Sequence, residues 1–168
     1  MKVRNVVKWA YEMKYCPICK SKLVVETLDE KPRLVCKSCG FVFWNNPIPV
    51  VAAIVPYDGK IVLVKSSIRK TWGLPAGHIE EGDTAEKRVI YEVYEETGLE
   101  VDILDFLGTW KSDTKNILLL MYVVRVKGGY LRPGGDVEDV KLFAYSDALE
   151  ILKGKTGYYA VRRWLNKK

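Results

Sequence analysis

The sequence predicts an α/β domain with a mixed sheet, preceded by a small basic module that carries every cysteine. All four cysteines lie within residues 1–45, and this segment holds +5 of the chain's net charge of +6. Beyond residue 45, apolar segments of strand length mix with helical patterns but do not follow a strict βαβ alternation. We therefore divide the chain into residues 1–45 and 46–168, with the boundary near Trp44–Pro47.

Composition is that of a folded, water-soluble protein. The chain has 168 residues, of which 48% are hydrophobic and 29% charged, enough apolar material for a sizeable core. The longest apolar run, ILLLMYVV from Ile117, falls well short of the roughly 20 residues that span a bilayer. The basic N-terminus has no continuous apolar region, so we expect no signal peptide, no membrane partner and a cytoplasmic location. The sequence leaves open whether the chain is a monomer or a homodimer.

The cysteines form two C-x-x-C pairs separated by sixteen residues. Pairs at this separation are typical of a zinc ribbon, in which two tight turns aim four thiolates at one Zn²⁺. Four cysteine ligands leave no open position, so we expect the zinc to be structural. Two disulfides are the alternative, which a chain without an export signal disfavours. The ligands would be Cys16, Cys19, Cys36 and Cys39.

Local patterns predict the remaining elements. In the ribbon, LVVETL and RLVC read as a hairpin joined by the polar turn DEKP, which contains Pro32, and residues 1–15 read as a short amphipathic helix. After the boundary, PVVAAIVPY and KIVLVK read as a hairpin joined by a type I′ turn at Asp58-Gly59. Further strands are VDILDFLGTW, ILLLMYVVRV and VKLFAY. Helices are expected from Thr84 to Thr97, from Ser146 to Leu152 and from Tyr158 to Asn166.

The helix from Thr84 concentrates negative charge in a basic protein. At about 100° per residue, Glu92, Glu95 and Glu96 share one arc of about 100° at the edge of the stripe predicted to be buried, to which Ile90 and Tyr94 also belong. Carboxylates crowded in this way suit a hard divalent cation. The alternative is a solvated acidic face, with Arg88 offsetting part of the repulsion.

The surrounding residues resemble the Nudix box. Gly77, Asp83, Glu92, Glu95, Glu96, Gly98 and Leu99 fall at the spacings of that motif in GHIEEGDTAEKRVIYEVYEETGL. The resemblance implies an α/β/α sandwich with a mixed sheet. It also implies Mg²⁺ or Mn²⁺ held by the three glutamates and the Gly77 carbonyl, and hydrolysis of a nucleoside diphosphate linked to another moiety. The ribbon in front resembles that of zinc-ribbon Nudix proteins.

The resemblance leaves the catalytic base open. Besides Glu95 and Glu96, it allows a carboxylate in the later segment GGDVEDVKLF, where we rank Glu138 ahead of Asp136 and Asp139. Upstream of the box, Arg69 and Lys70 are candidates to contact substrate phosphates, with ordinary surface charge as the alternative.

Two box positions depart from the family pattern, since Asp83 replaces a glutamate and Tyr91 an arginine. We interpret the exchange as a loop brace in which an Asp83–Tyr91 hydrogen bond replaces an ion pair. The alternative is a decayed box, against which the three retained glutamates argue.

The substrate is less well defined than the reaction. The chain lacks the Ser-Gln-Pro-Trp-Pro-Phe-Pro-x-Ser motif of the NADH branch and the proline of the ADP-ribose branch. ADP-ribose or a similar nucleotide is our first expectation, with NADH or NAD-capped RNA as the alternative. A different class stays open: a non-hydrolytic nucleotide-binding domain whose basic ribbon contacts RNA through aromatic side chains, namely Tyr15, Phe41, Phe43 and Trp44.

Overall fold

The structure, a computed structural model, describes residues 13–112 and 116–167 and forms two compact units. The first unit extends to Pro47. It is an antiparallel sheet of β1 (Leu23–Leu28), β2 (Lys31–Cys36) and β3 (Val42–Phe43), with β2 in the centre. Most of the helix expected over residues 1–15 lies outside the described residues.

The ribbon hairpin turns at Asp29-Glu30 and not at Pro32. Both turn residues have positive φ, 51° and 60°, as a two-residue type I′ turn requires. Pro32 lies within β2, opposite Thr27. The turn therefore lies within the expected segment but is shorter, because an aspartate that tolerates the left-handed conformation begins it two residues before Lys31.

The second unit holds Ile48–Ser112 and the chain from Ile117 onward, and its described residues form two four-stranded sheets. In the first, the order is β8-β4-β10-β9, with β4 and β10 parallel and the other pairs antiparallel. In the second, the order is β11-β6-β5, and β7 also pairs with β6. The mixed sheet is thus confirmed. The strands are β4 (Ile48–Ile54), β5 (Pro56–Tyr57), β6 (Lys60–Ser66), β7 (Trp72–Gly73), β8 (Ala76–His78), β9 (Leu99–Lys111), β10 (Ile117–Gly129) and β11 (Val137–Phe143).

The hairpin at Asp58-Gly59 is present but shorter than expected. Both residues have positive φ, 52° and 70°, and Tyr57 pairs with Lys60 across the turn, which confirms the turn type. The expectation of one strand over PVVAAIVPY was wrong, since β4 and β5 belong to different sheets. Residues 51–55 are all buried, and such a continuous apolar run shows no alternation to reveal the break.

Within the described residues, three helices pack on the sheets of the second unit: α1 (Ala85–Thr97), α2 (Tyr145–Leu152) and α3 (Thr156–Leu165). The local signals for α1 are confirmed. Thr84 Oγ1 accepts a hydrogen bond from the Lys87 amide at 3.3 Å, and Gly98 ends the helix at φ 72°. Ile90 and Tyr94, expected in the buried stripe, are exposed, so the buried stripe is narrower than the sequence suggested.

The other helices begin slightly earlier than expected. α2 starts at Tyr145, with Ala144 and not Ser146 at its cap, and α3 starts at Thr156. Among the described residues, no helix combines the length and the apolar character needed to cross a bilayer.

Alternate residues of β4 pack into two different cores. Val51 and Ala53 belong to the cluster that contains Val89 and Val93 of α1. The cluster around Ala52 and Ile54 contains buried residues of α2 and α3, namely Ala148, Leu152, Ala160, Val161 and Trp164. Because successive side chains of a strand point to opposite faces, the helices form layers on both sides, which confirms the predicted α/β/α sandwich.

Candidate active site and metal centre

The four ribbon cysteines converge on one point. Their Sγ atoms all lie within 4.8 Å of one another, and no disulfide joins them. The Sγ atoms of Cys16 and Cys39 are 3.6 Å apart, and those of Cys19 and Cys36 are 3.4 Å apart. A tetrahedron with Zn–S bonds of about 2.3 Å has edges of about 3.8 Å. The spacing of the four thiols is therefore close to that of a Zn²⁺ site.

Backbone geometry shapes both turns of this cluster in the same way. The Lys20 amide donates to the Cys16 carbonyl, and the Gly40 amide donates to the Cys36 carbonyl. Lys20 and Gly40 both have positive φ, 62° and 76°. Each turn thus brings its two thiols to the same side of the chain.

The thiols strongly influence one another's ionisation. Hydrogen bonds from Ser21 lower the pKa of Cys19 to about 6. At Cys39, the Phe41 amide acts in the same direction, but the Cys19 thiol and burial outweigh it and raise the pKa to about 12. The four thiols therefore do not all ionise at neutral pH unless a cation compensates their charge.

The second site lies where β8 leads into α1. Glu96 is buried, with 6% exposure, and its Oε2 accepts a hydrogen bond from the Ala76 amide at 3.0 Å. Burial, with a smaller contribution from the charges of Glu92 and Asp136, raises the pKa of Glu96 to about 8 against the hydrogen bond from Ala76. A carboxyl group with this pKa holds its proton at neutral pH until a cation replaces it.

Glu92 is buried between Arg88 and Gly77. Arg88 Nε and Nη2 both donate to Glu92 Oε1, at 2.7 and 2.6 Å. A Cβ on Gly77 would overlap the Glu92 carboxylate, so only glycine lets β8 approach so closely. Burial raises the pKa of Glu92, although the Arg88 charge opposes the rise.

Glu95 faces the loop that precedes β11. A Cβ on Gly135 would lie 3.1 Å from Glu95 Cγ, and one on Gly134 would overlap the Glu95 carbonyl. The next residue, Asp136, contributes negative charge at both Glu92 and Glu96 and raises their pKa values. The loop therefore brings a fourth carboxylate to the three glutamates of the helix.

Glu138, ranked first among the carboxylates of that segment, has a different environment. It lies in β11 and not in a loop, where it forms ion pairs with Lys65, at 2.8 Å, and with Lys70. Hydrogen bonds from these two lysines lower the pKa of Glu138. The Arg69 side chain forms no ion pair with any of the described residues. Its backbone amide donates a hydrogen bond to Ser66 Oγ at 3.2 Å.

Asp83 and Tyr91 meet through a third residue. The described residues show no hydrogen bond between them, which corrects the expectation of a direct one. Instead, Arg88 Nη1 lies 3.5 Å from Asp83 Oδ2, and the Arg88 guanidinium lies 5.1 Å from the centre of the Tyr91 ring. Tyr91 is one turn beyond Arg88, so its ring stacks on the cation.

Sequence reasoning undervalued two residues. Arg88 was considered only for its charge, although its spacing of four residues from Glu92 predicts an ion pair. Asp136 was ranked below Glu138. Asp139 pairs with Lys65 across β11 and β6, which brings a lysine to this part of the strand. Only the strand pairing reveals that this lysine neutralises Glu138.

Comparison with known proteins agrees with this geometry. A family model described as NUDIX domain matches residues 47–165, and one described as Nudix N-terminal matches residues 14–45. The crystal structure of a NUDIX hydrolase from Nitrosomonas europaea superposes with a TM-score of 0.81 at 22% identity. The match covers 93% of this chain and 92% of that one, and it supports the fold.

Two of the curated relatives have names that specify a substrate. A Methanocaldococcus jannaschii protein named ADP-ribose pyrophosphatase is 30% identical over 105 residues, covering 58% of this chain and 62% of that protein. A Pseudomonas aeruginosa protein named NAD-capped RNA hydrolase NudC is 26% identical over 144 residues, covering 84% of this chain and 51% of that protein. The chain thus spans between half and two thirds of the length of these relatives. Because the NUDIX domain match covers most of its residues, the chain belongs to the Nudix family.

Proposed function

We propose that this protein hydrolyses the diphosphate linkage of a nucleoside diphosphate derivative with Mg²⁺ or Mn²⁺, and that ADP-ribose or a similar nucleotide is its substrate. The observation that carries the proposal is the buried carboxyl of Glu96 beside Glu92, Glu95 and Asp136. Buried carboxyls that raise one another's pKa destabilise a site that stays empty. Their arrangement is favourable when the site receives divalent cations and a phosphate ester.

The residues present fit a hard cation. Glu92, Glu95 and Glu96 supply oxygen ligands, as does the Gly77 carbonyl, and water and substrate phosphates complete such a shell. When bound, Mg²⁺ neutralises the diphosphate and lowers the pKa of a coordinated water. Arg88 holds one oxygen of Glu92, which leaves Oε2 available. The Ala76 amide holds one oxygen of Glu96.

For the general base outside the helix, we propose Asp136 in place of Glu138. A base must accept a proton near the bound water, and Asp136 lies near enough to raise the pKa values of Glu92 and Glu96. Glu138 is held by two lysines that lower its pKa, which weakens it as a base. Within the helix itself, the half-buried Glu95 is the alternative candidate.

Arg69 and Lys70 remain our proposal for contacts to substrate phosphates. The Arg69 side chain is exposed and has no ion pair with the described residues, so its five donors are available to an anion. Lys70 is bound to Glu138 and would have to exchange that partner for a phosphate. Arg69 is therefore the stronger candidate.

The share of this chain that aligns with the NudC relative favours a second candidate substrate. That alignment covers 84% of the chain, whereas the alignment with the ADP-ribose pyrophosphatase covers 58%. NADH and NAD-capped RNA contain the same diphosphate chemistry. For the RNA, the ribbon offers exposed aromatic rings at Tyr15 and Trp44 for stacking.

We further propose that the ribbon zinc is structural. Its four thiols form a closed set with no position for a substrate. Thiols without a disulfide suit a reducing compartment, so we place the protein in the cytoplasm.

A nucleotide panel tests the proposed function. The zinc-loaded chain is incubated with ADP-ribose, NADH, NAD-capped RNA and a nucleotide sugar, with Mg²⁺ and with Mn²⁺, and the released monophosphate is measured. Turnover of ADP-ribose above the others is the expected result, with Glu96→Gln as the inactive control. Hydrolysis only of NAD-capped RNA would establish the second substrate. If no compound is hydrolysed while RNA shifts in a gel, the protein is a binding module.

A further inference from the structure

Arg88 lies at the centre of the charged residues that connect α1 with the loop before it. Its guanidinium contacts three carboxylates, those of Glu92, Glu80 and Asp83. The Arg88 side chain is only 17% exposed, although its helix begins at the surface. A cation this shielded, with three anionic neighbours, is more strongly held than a typical surface ion pair.

The contact with Glu92 fixes the carboxylate on one side. Two guanidinium nitrogens, Nε and Nη2, donate to the same oxygen, Oε1. The carboxylate also fills the space that a side chain at Gly77 would occupy. Held between these two groups, the carboxylate has little freedom to rotate, and Oε2 is the oxygen that stays without an arginine contact.

The contacts with Glu80 and Asp83 reach the loop. Both carboxylates lie 3.5 Å from the guanidinium, on Nη2 and Nη1 respectively. Within the loop, the Asp83 amide donates to the Glu80 carbonyl at 3.1 Å, so the two residues form one local turn. Arg88 therefore ties this turn to the helix, while the hydrogen bond between Ala76 and Glu96 ties the preceding strand to it.

The Arg88 guanidinium lies over the ring of Tyr91. The ring centre lies 5.1 Å from Arg88 Cζ, while Tyr91 itself is 53% exposed. The ring leaves the edge of the guanidinium, which carries the donors, free for the carboxylates. This shielding strengthens the ion pairs because it removes water from one face.

We propose that Arg88 is a positioning residue of this site: its planar fork orients Glu92 for metal binding and holds the Glu80–Asp83 turn against the helix. The inference rests on the proposed function, since it assigns Glu92 to the cation. A lysine has one nitrogen and cannot reach Glu92 and Asp83 in the same geometry. The shape of the guanidinium, as well as its charge, is therefore required.

Three variants test this role: Arg88→Met, Arg88→Lys and, as a control, Lys87→Met, which removes the neighbouring exposed cation. The zinc-loaded proteins are titrated with Mn²⁺ alone, and free Mn²⁺ is followed by its paramagnetic resonance signal. We expect Arg88→Met to weaken Mn²⁺ binding by about 10-fold to 100-fold, the usual cost of losing a group that orients a metal ligand. Arg88→Lys should recover part of the loss, and Lys87→Met should bind within about twofold of the parent.

The same variants are then compared in turnover. Arg88→Met should lower kcat more than it raises KM, because it acts on the metal ligand and not on the nucleotide. Parent-like Mn²⁺ affinity in folded Arg88→Met, or an equal loss in Lys87→Met, would overturn the proposal. Should Arg88→Met fail to fold, parent-like affinity in Arg88→Lys would overturn it. If the parent binds Mn²⁺ but hydrolyses no nucleotide, the proposed function fails while the titration still decides the role of Arg88.

Discussion

The Glu96 carboxylate and the Ala76 amide form a hydrogen bond of 3.0 Å between the last turn of α1 and the start of β8. The hydrogen bond favours the ionised carboxylate, but burial disfavours it more strongly and raises the pKa of Glu96 to about 8 from an ordinary 4.5. The folded chain therefore binds this proton more tightly than the unfolded chain. Without Mg²⁺, the contribution of Glu96 to the free energy of unfolding is therefore largest below about pH 4.5 and declines as pH rises towards 8.

The first prediction concerns that pH dependence. In zinc-loaded protein without Mg²⁺, the Tm should fall by several degrees between pH 5 and pH 8, and Glu96→Gln should flatten the decline because glutamine has no proton to lose. Added Mg²⁺ should restore the Tm at pH 8. Melting curves at several pH values measure the effect, and an unchanged slope in Glu96→Gln would assign the decline to other groups.

Substitution of the helix glutamates should lower turnover without a matching loss of stability. Glu95→Gln and Glu96→Gln each remove a proposed metal ligand but keep the shape of the side chain, so we expect a loss of at least about 100-fold in kcat with little loss of fold. Steady-state kinetics with Mg²⁺ measures the loss, and circular dichroism confirms the fold. Glu81→Gln, on the exposed loop, is the matched control. Rates near those of the parent in both variants would remove these residues from the metal site.

Asp136 and Glu138 provide a third prediction. Asp136→Asn should lower kcat by at least about tenfold because it removes the proposed base. Glu138→Gln should change kcat by less than about threefold, since its carboxylate is occupied by Lys65 and Lys70. Rates across a pH series separate the two variants. A larger loss in Glu138→Gln would return that residue to the role first expected from the sequence.

The difference between these two residues shows where sequence reasoning reached its limit. The bounds of α1 could be predicted because Thr84 and Gly98 act locally, and the cysteine spacing identified the ribbon for the same reason. Whether Asp136 or Glu138 lies near the helix depends on how β11 pairs with β6. Such pairing joins residues far apart in the chain, and no local pattern specifies it.

Tyr91 shows the same limit at shorter range. Its position in the motif suggested a hydrogen bond to Asp83, but the ring lies over Arg88. Side-chain direction on a helix surface depends on the neighbour one turn away, and Arg88 is the better partner for an aromatic ring.

A fourth prediction follows from this stacking. Tyr91→Phe should keep turnover within about twofold of the parent because the ring, and not the hydroxyl, contacts the cation. Tyr91→Ala should lower turnover by about threefold to fivefold, consistent with about 0.5–1 kcal/mol for an exposed cation–π pair. Comparison of kcat/KM for the two variants is the measurement. A loss in Tyr91→Phe as large as that in Tyr91→Ala would support the direct hydrogen bond to Asp83.

The final prediction uses two glycines that the structure separates clearly. A methyl group on Gly77 would overlap the Glu92 carboxylate, whereas one on Gly73 would meet no atom within 4 Å. Gly77→Ala should therefore displace Glu92 from its place between β8 and Arg88, which weakens the proposed metal site and lowers turnover by at least about tenfold. Gly73→Ala tests whether any glycine replacement in this region is harmful, and it should leave both Mn²⁺ affinity and Tm close to those of the parent. Equal behaviour of the two variants would mean that Glu92 adapts to the added methyl group, and that the close approach of Gly77 does not set the position of its carboxylate.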